Sequence, residues 1–235
     1  MKKFLTALFS MAVIAASGQT VDEVISKYSA NMGGLEAFNK VTTAKMTGNI
    51  SQASMVMPLT SQIINNKACR SDIEVMGQSI IQVYNNGTGW KQNPYDGTET
   101  PTEVTGKELL DFKAQASLVN HLMDYKARGH KVELAGQEDV EGVKCYKINL
   151  VNKDDQKTTT YYISVSDYML IKSVNTRNLQ GQDMEVETFY SDFKEVDGLK
   201  FAMVRTQKIM GQVFMEVKLD KIELNVPIDE KIFNM

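Results

Sequence analysis

Residues 79–90 read Ser-Ile-Ile-Gln-Val-Tyr-Asn-Asn-Gly-Thr-Gly-Trp, and this stretch decides the class of fold. Asn86-Gly87 is the strongest short hairpin signal in the chain, because a tight type I′ turn needs two residues that accept a positive φ. The segments on either side are rich in residues that favour strands. Strands joined by such close turns predict an antiparallel meander rather than parallel βαβ units.

The same alternation of apolar and polar residues extends along the chain on both sides of this hairpin. Before it, Ala44, Met46 and Ile50 alternate with polar residues, and residues 213–220 give the clearest alternation after it. A strand with this pattern has one dry face and one wetter face. We expect about ten or eleven strands in total.

Two helices interrupt the strands. Thr20 and Glu23 stand at capping-box spacing at the start of the first, and Thr105 and Glu108 repeat that spacing at the start of the second. The second helix is expected to run to about Met123. Its apolar residues cover most of its girth, so we expect it to be buried on more than one side.

The pattern of residues 1–18 indicates a secretory signal peptide. Lys2 and Lys3 come first, an apolar run follows, and small residues lead up to Gly18. The apolar run covers about 13 residues, whereas crossing a bilayer takes roughly 20. Cleavage is expected near Gly18-Gln19, and no Cys follows to carry a lipid anchor. We therefore expect residues 19–235 to form a single β domain in the periplasm that does not span the membrane.

The remaining composition excludes several functions. The 26 Lys and Arg are interspersed with 29 Asp and Glu, which is unlike a nucleic-acid-binding surface. His121 and His130 lack metal-ligand spacing, and no nucleophile elbow, phosphate loop or Cys-x-x-Cys is present. We expect no enzymatic activity, cofactor or metal. Whether Cys69 and Cys145 form a disulfide stays open at this point.

Methionine is unusually frequent, with 14 Met against nine Phe and one Trp. Several of these Met residues fall in the first strands. Met is flexible and polarizable, which suits a surface that accommodates variable apolar partners. Simple gap-filling in a core is the other interpretation, and composition leaves both open.

The order of the elements resembles the periplasmic lipoprotein carrier superfamily, whose members are of the LolA, LolB and RseB kind. Residues 86–94, Asn-Gly-Thr-Gly-Trp-Lys-Gln-Asn-Pro, are similar to the family's strand–turn–strand segment with its Trp and following Pro. The tail at residues 224–233 is similar to the family's closing strand and its Pro-containing end. The surroundings of Gly89-Trp90 and of residues 126–129 look most like outer-membrane lipoprotein-sorting paralogues of Bacteroidetes-type bacteria.

The resemblance implies a mainly β fold. A single large antiparallel sheet is curled into an incomplete barrel, and helices cover its concave face over an apolar cavity. Carriers of this family use an Arg in an early strand to hold a helical lid shut. Arg70 is the only Arg between the leader and Arg128, and whether it has a lid-locking role stays open.

The resemblance also implies a function: a periplasmic carrier or binder of lipoprotein acyl chains or another lipid, non-covalent and non-catalytic. Lipoprotein-handling proteins of the inner and outer membranes are the implied partners. The alternative is an envelope sensor or assembly protein on the same scaffold with no lipid cargo. The expected lining of the cavity is apolar and comprises Met46, Ile50, Met55, Met57, Ile73, Val75, Val83, Trp90, Leu110, Leu118 and Leu122.

Overall fold

The structure of the chain is a computed structural model that describes residues 19–179 and 181–234. The predicted signal peptide, residues 1–18, lies outside the described residues. Within the described ranges the chain forms one antiparallel sheet of 13 strands that is not closed into a barrel. The mainly β class and the incomplete barrel are therefore confirmed, while the expected numbers of strands and helices are too low.

The elements are numbered in chain order. The strands are β1 (Thr43–Gln52), β2 (Met55–Ile64), β3 (Ala68–Val75), β4 (Gln78–Asn85), β5 (Thr88–Asn93), β6 (Thr98–Val104), β7 (Lys131–Val140), β8 (Val143–Val151), β9 (Thr158–Ser164), β10 (Leu170–Leu179), β11 (Gln182–Val196), β12 (Leu199–Ile209) and β13 (Gln212–Leu224). The helices are α1 (Val21–Asn31), α2 (Leu35–Lys40), α3 (Gly106–Gln115), α4 (Tyr125–Arg128) and a C-terminal 3₁₀ helix (Glu230–Phe233). No helix in these described ranges has the length and hydropathy needed to cross a membrane.

The sheet consists of two meanders that meet in its middle. Strands β1 to β6 follow one another outward to one edge, and β13 back to β7 follow one another to the other edge. The two halves join where β1 pairs with β13, with Ala44 opposite Leu224. The connection from β6 to β7 must therefore run from one edge to the other, and it carries α3 and α4. Pro101 lies in edge strand β6, where a missing N–H is tolerated.

Four helices pack on one face of the sheet, which we call the inner face. The largest apolar cluster joins Tyr28 of α1, Phe38 of α2 and Phe112 of α3 to strand residues such as Met46 and Ile148. All five side chains are buried. Burial of apolar surface is the main force holding such layers together, so this helix-covered core fixes the helices on the inner face.

Two smaller clusters lie on the opposite, outer face. The C-terminal 3₁₀ helix places Phe233 against Val83 and Trp90, and a second cluster contains Val140 and Cys145. The first of these packs the end of the chain against β3 to β5. The second packs the β7–β8 hairpin against the neighbouring strands.

The structure answers the question of the two cysteines. Cys69 belongs to the helix-covered core on the inner face, whereas Cys145 belongs to an outer-face cluster. Both thiols are buried and free. The two residues lie on opposite faces of the sheet, so they do not form a disulfide.

The predicted capping box of the first helix is confirmed. The Oγ1 of Thr20 accepts a hydrogen bond from the N–H of Glu23 at 3.3 Å, and the Thr20 N–H donates to the Glu23 carboxylate at 2.8 Å. The equivalent Thr105 makes no side-chain capping bond at α3. The two positions have the same sequence signal, but only one of them gains the stabilisation.

The second helix is shorter than expected, because α3 ends at Gln115 rather than Met123. Beyond it, the N–H of Leu118 donates to Oδ1 of Asn65 at 3.1 Å. The Asn120 side chain likewise accepts an N–H two residues further on, at 2.8 Å. Polar side chains of this kind give the backbone an alternative to helical hydrogen bonds. Residues 116–124 therefore cross the inner face without regular structure, and we call them the crossing segment.

The difference between the two caps is testable. Thr20→Ala should lower the free energy of unfolding by about 1 kcal/mol, because it removes a side-chain acceptor at a helix start. Thr105→Ala, the matched control, should change it by about 0.5 kcal/mol or less, as for an ordinary surface substitution. Urea denaturation of the chain from Gln19 onward measures both. Equal losses of unfolding free energy in the two variants would contradict the conclusion that Thr20 caps its helix and Thr105 does not.

Candidate functional site

The two ends of the sheet differ in character. The β1–β2, β3–β4, β5–β6, β8–β9, β10–β11 and β12–β13 turns lie at one end, since neighbouring strands are antiparallel. We call this the tip end. The remaining hairpin turns lie at the opposite end.

An apolar patch made of strand residues lies on the inner face toward the tip end. Ile50, Met57 and Val75 are its buried members. They are surrounded by partly buried residues, namely Leu59, Ile73, Ile80, Met215 and Val217. We call these eight residues the strand patch. Because every member belongs to a strand, the patch extends the inner face beyond the helices.

The strand patch is continuous with the helix-covered core. Leu59 of β2 and Val217 of β13 pack against both clusters. The backbone pairing explains this position, since Leu59 lies opposite Gly48, and Val217 lies opposite Ile50. A single apolar surface therefore runs from beneath the helices to the tip end of the sheet.

Most of the expected lining residues lie on this inner face. Four belong to the strand patch, namely Ile50, Met57, Ile73 and Val75. Met46 and Leu122 lie in the helix-covered core, and Leu118 packs against it. Met55, two positions before Met57 on β2, is 44% exposed at the tip end. Leu110 is partly buried on α3.

Val83 and Trp90 do not join the others. They lie opposite each other on β4 and β5 and pack on the outer face against Phe233. The indole N–H of Trp90 donates to the Phe233 carbonyl at 3.4 Å. The neighbouring Tyr84 faces the inner side instead. A one-residue shift along a strand exchanges the two faces, and here the alternation assumed from sequence was out by one.

Sequence reasoning missed four members of the strand patch: Leu59, Ile80, Met215 and Val217. A signal was available for Leu59, which continues the alternation of Met57 along β2. Met215 and Val217 are part of the clear alternating pattern in β13. Local sequence contains no signal, however, that brings β13 beside β1.

Arg70 lies on the outer face, away from α1 to α4. Its guanidinium donates to the Asp72 carboxylate at 2.7 to 3.1 Å and to the Ile232 carbonyl at 2.9 Å. It also lies 6.0 Å from the Trp90 ring, at the outer limit of a cation–π contact. Arg70 therefore holds the C-terminal segment against the sheet.

Arg128 instead fastens the crossing segment on the inner face. Its Nε donates to both oxygens of Asp124 at 2.6 Å, and a terminal nitrogen donates to the Ser117 hydroxyl at 2.8 Å. The other terminal nitrogen lies 3.4 Å from Nε2 of His121. These contacts tie both ends of the crossing segment to α4.

A pair of histidines lies beside Arg128. The rings of His121 and His130 are 5.2 Å apart, and Nδ1 of His130 accepts the N–H of Lys153 at 3.2 Å. Nε2 of His130 is buried without a hydrogen-bond partner among the described residues. Burial, with Arg128 nearby, lowers the pKa of His121 to about 4, and burial also lowers the pKa of His130.

An open groove of about 590 Å³ lies at the tip end between the β10–β11 and β12–β13 hairpins. Met184 and Ile209 line it together with Val213 and Phe214. Val213 and Phe214 lie near the start of strand β13, which carries Met215 and Val217 of the strand patch. The described residues contain no group of three or more His, Cys, Asp or Glu that would hold a metal ion.

Comparisons with known proteins identify the fold. No protein-family model matches the chain, and no curated protein matches it. Solved structures do match. A LolA superfamily protein from Nitrosomonas europaea has 12% identity and a TM-score of 0.62, and the match covers 93% of this chain and 99% of that one.

Two further structures agree. A domain named for outer membrane lipoprotein sorting, from Vibrio parahaemolyticus, has 10% identity and a TM-score of 0.57, with 92% of this chain and 96% of that one covered. A DUF1329 family protein from Desulfovibrio piger has 10% identity and a TM-score of 0.56, with 92% and 98% covered. At such identities the likeness concerns the fold alone, and the chain has the LolA-like fold expected from its sequence.

The histidine pair makes stability depend on pH. In the folded chain both imidazoles favour the neutral form, so the unfolded chain binds more protons below its His pKa of about 6.5. The free energy of unfolding should therefore fall as the pH drops from 6.5 toward 4. In the double variant His121→Gln, His130→Gln this fall should be smaller. Urea denaturation at several pH values measures this free energy. An identical pH dependence in both proteins would contradict the attribution of the fall to the two histidines.

Proposed function

We propose that this chain is a periplasmic carrier or binder of lipoprotein acyl chains or another lipid, held non-covalently against the inner face. The observation that carries the proposal is the strand patch, an apolar surface that leads from the tip end to the helix-covered core. The LolA-like fold supports it, because matching structures are named for the LolA superfamily and for lipoprotein sorting.

The physical case rests on the cost of exposing an acyl chain to water. Each methylene that leaves water gains about 0.8 kcal/mol. The strand patch offers partly buried apolar side chains for such contacts. Met57 and Met215, at its tip-end side, add flexible thioether side chains that adapt to an irregular chain. A non-covalent site of this kind releases its cargo without a chemical step.

Further entry of cargo requires the helices to move. Tyr28 and Leu122 fill the space under α1 and the crossing segment, at 2% and 0% exposure. We propose that α3 and the crossing segment form the movable lid. α3 lacks a side-chain N-cap, and the crossing segment has no regular hydrogen-bond ladder of its own. Leu118, which packs against the edge of the core, is then among the first lid residues that cargo meets.

The cysteine and histidine side chains of the described residues favour binding over catalysis. Burial raises the pKa values of the Cys69 and Cys145 thiols to about 11. A thiol attacks as the thiolate, so both cysteines are poor nucleophiles at neutral pH. The ring of His121, in the crossing segment, lies against that of His130, and their ring nitrogens contact Arg128 and the Lys153 N–H rather than residues of the strand patch. We propose a non-enzymatic protein on these grounds.

The alternative is an envelope sensor or assembly protein on the same scaffold, without lipid cargo. The tightly filled core beneath the helices favours it, because there the chain's own side chains occupy the inner face. The two candidates differ in one property. A carrier takes up a soluble acyl probe, and the scaffold protein does not.

Uptake of a fluorescent fatty acid tests the proposal with a matched pair of variants. Ile80 belongs to the strand patch, whereas the next residue, Ile81, packs on the outer face. Both are partly buried on β4. Ile80→Glu should weaken uptake by at least about tenfold, because a carboxylate in an apolar site costs free energy. Ile81→Glu should leave it unchanged, with thermal unfolding confirming that both variants fold.

Two results would count against the proposal. If the unsubstituted chain takes up no probe, the carrier proposal fails and the scaffold alternative stands. If Ile80→Glu and Ile81→Glu behave alike, the strand patch is not the site.

Leu118→Glu tests the lid separately. This variant should abolish fatty-acid uptake while the β-rich circular dichroism stays the same. Unchanged uptake would remove the crossing segment from the site.

A further inference from the structure

Hairpin loops of one geometry recur at both ends of the sheet. Six two-residue loops among the described residues have positive φ at both positions, as in a type I′ turn. Three lie at the tip end, namely Ala53-Ser54, Met76-Gly77 and Met210-Gly211. Three lie at the opposite end, namely Asn86-Gly87, Glu141-Gly142 and Asp197-Gly198. The two sets share a backbone shape, so they can be compared directly.

The first loop residue differs systematically between the two ends. At the opposite end it is Asn, Glu or Asp, and at the tip end it is Ala or Met. The φ values of Met76 and Met210 are 45° and 50°, in the left-handed region that type I′ turns normally fill with Asn, Asp or Gly. Turn geometry therefore does not explain the methionines. Burial does not explain them either, because the two side chains are 86% and 87% exposed.

The exposed large apolar side chains are likewise concentrated at the tip end of the sheet. Every large hydrophobic residue that is exposed among the described residues lies in a tip-end turn or within four residues of one. They are Met55, Val56, Met76, Tyr95, Met210, Val213 and Phe214. Residues 51–57, 75–80 and 209–215 also contain no charged residue. Three neighbouring tips are thus apolar and electrically neutral.

These tips form a row along one edge of the fold. The β12–β13, β1–β2 and β3–β4 hairpins are consecutive in the sheet, so their six strands are adjacent. At a strand spacing of about 4.8 Å the row is roughly 24 Å long. The strand patch lies on the inner face beside the same row. Its Met57 and Met215 lie within three residues of a tip-end loop or of the exposed Val213.

We propose that the tip end docks on a lipid surface, with Met76, Met210 and the Met55-Val56 pair entering its apolar boundary. Separate, uncharged hairpin tips suit a lipid surface, because a fluid layer can pack around each exposed side chain. A protein partner is typically met by aromatic and Arg anchors within a hydrogen-bonded rim. The absence of charge from the three tips also means that attraction to anionic headgroups is not required.

This inference goes beyond the proposed function and stands apart from it, because docking needs no cargo on the inner face. If both hold, docking orients the strand patch toward the bilayer. Acyl chains would then pass between the membrane and the inner face without crossing water. The methionines at strained turn positions are explained by a contact made outside the chain.

Vesicle binding tests the inference with the chain from Gln19 onward. Co-sedimentation with neutral phosphatidylcholine vesicles should be detectable at low salt and persist at high salt. The double variant Met76→Asn, Met210→Asn should lose at least about tenfold of this binding. Its thermal stability should be kept or raised, because Asn is favoured in a type I′ turn. Asp197→Asn, at the same loop position of the opposite end, is the matched control and should bind as the unsubstituted chain does.

Several outcomes would overturn the inference. They are no binding by the unsubstituted chain, undiminished binding by the methionine double variant, and binding that needs anionic lipid and disappears in high salt. Fatty-acid uptake measured without vesicles separates this inference from the proposed function. The methionine double variant should retain uptake. Vesicle binding without any uptake would refute the carrier proposal and leave docking intact.

Discussion

The pairing of β1 with β13 is the constraint on which the rest of the structure depends. It joins two meanders in the middle of the sheet and so places β6 and β7 at opposite edges. The connection between those edges must cross one face, and it brings α3 and the crossing segment over the inner side. Gly48 permits the pairing, because a Cβ there would lie 2.2 Å from the Lys218 carbonyl oxygen.

The sequence predicted much of the sheet and placed several of the expected lining residues on a shared face. Alternation placed Ile50, Met57, Ile73 and Val75 on one face correctly, since each lies in a strand with a clear period of two. Val83 and Trp90 were expected on the inner face but lie on the outer face, because the predicted alternation was shifted by one residue. Just beyond the end of α3, Leu118 donates a hydrogen bond to Asn65, about fifty residues away in sequence. Neither that contact nor the β1–β13 pairing has a local sequence signal.

The apolar residues of the inner face become more exposed from the helix-covered core toward the tip end. Under the helices they are closely packed and buried, and they hold the four helices to the sheet. Toward the tip end most of them are only partly buried, and at the tips they are exposed, with Met76 and Met210 at turn positions of positive φ. Natural proteins often keep such locally unfavourable residues where function requires them. This increase in exposure from core to tip supports the proposal that an apolar partner binds at the tip end.

The central claim is that the inner face carries lipid, and the most direct measurement is the lipid content of the native protein. The mature protein would be purified from its own envelope without detergent exchange, extracted with organic solvent and analysed by quantitative mass spectrometry. We expect acyl lipid in a fixed ratio approaching one molecule per chain, and a clear reduction in that ratio when Ile80→Glu is expressed in the same envelope. Native protein that is free of lipid would contradict the claim.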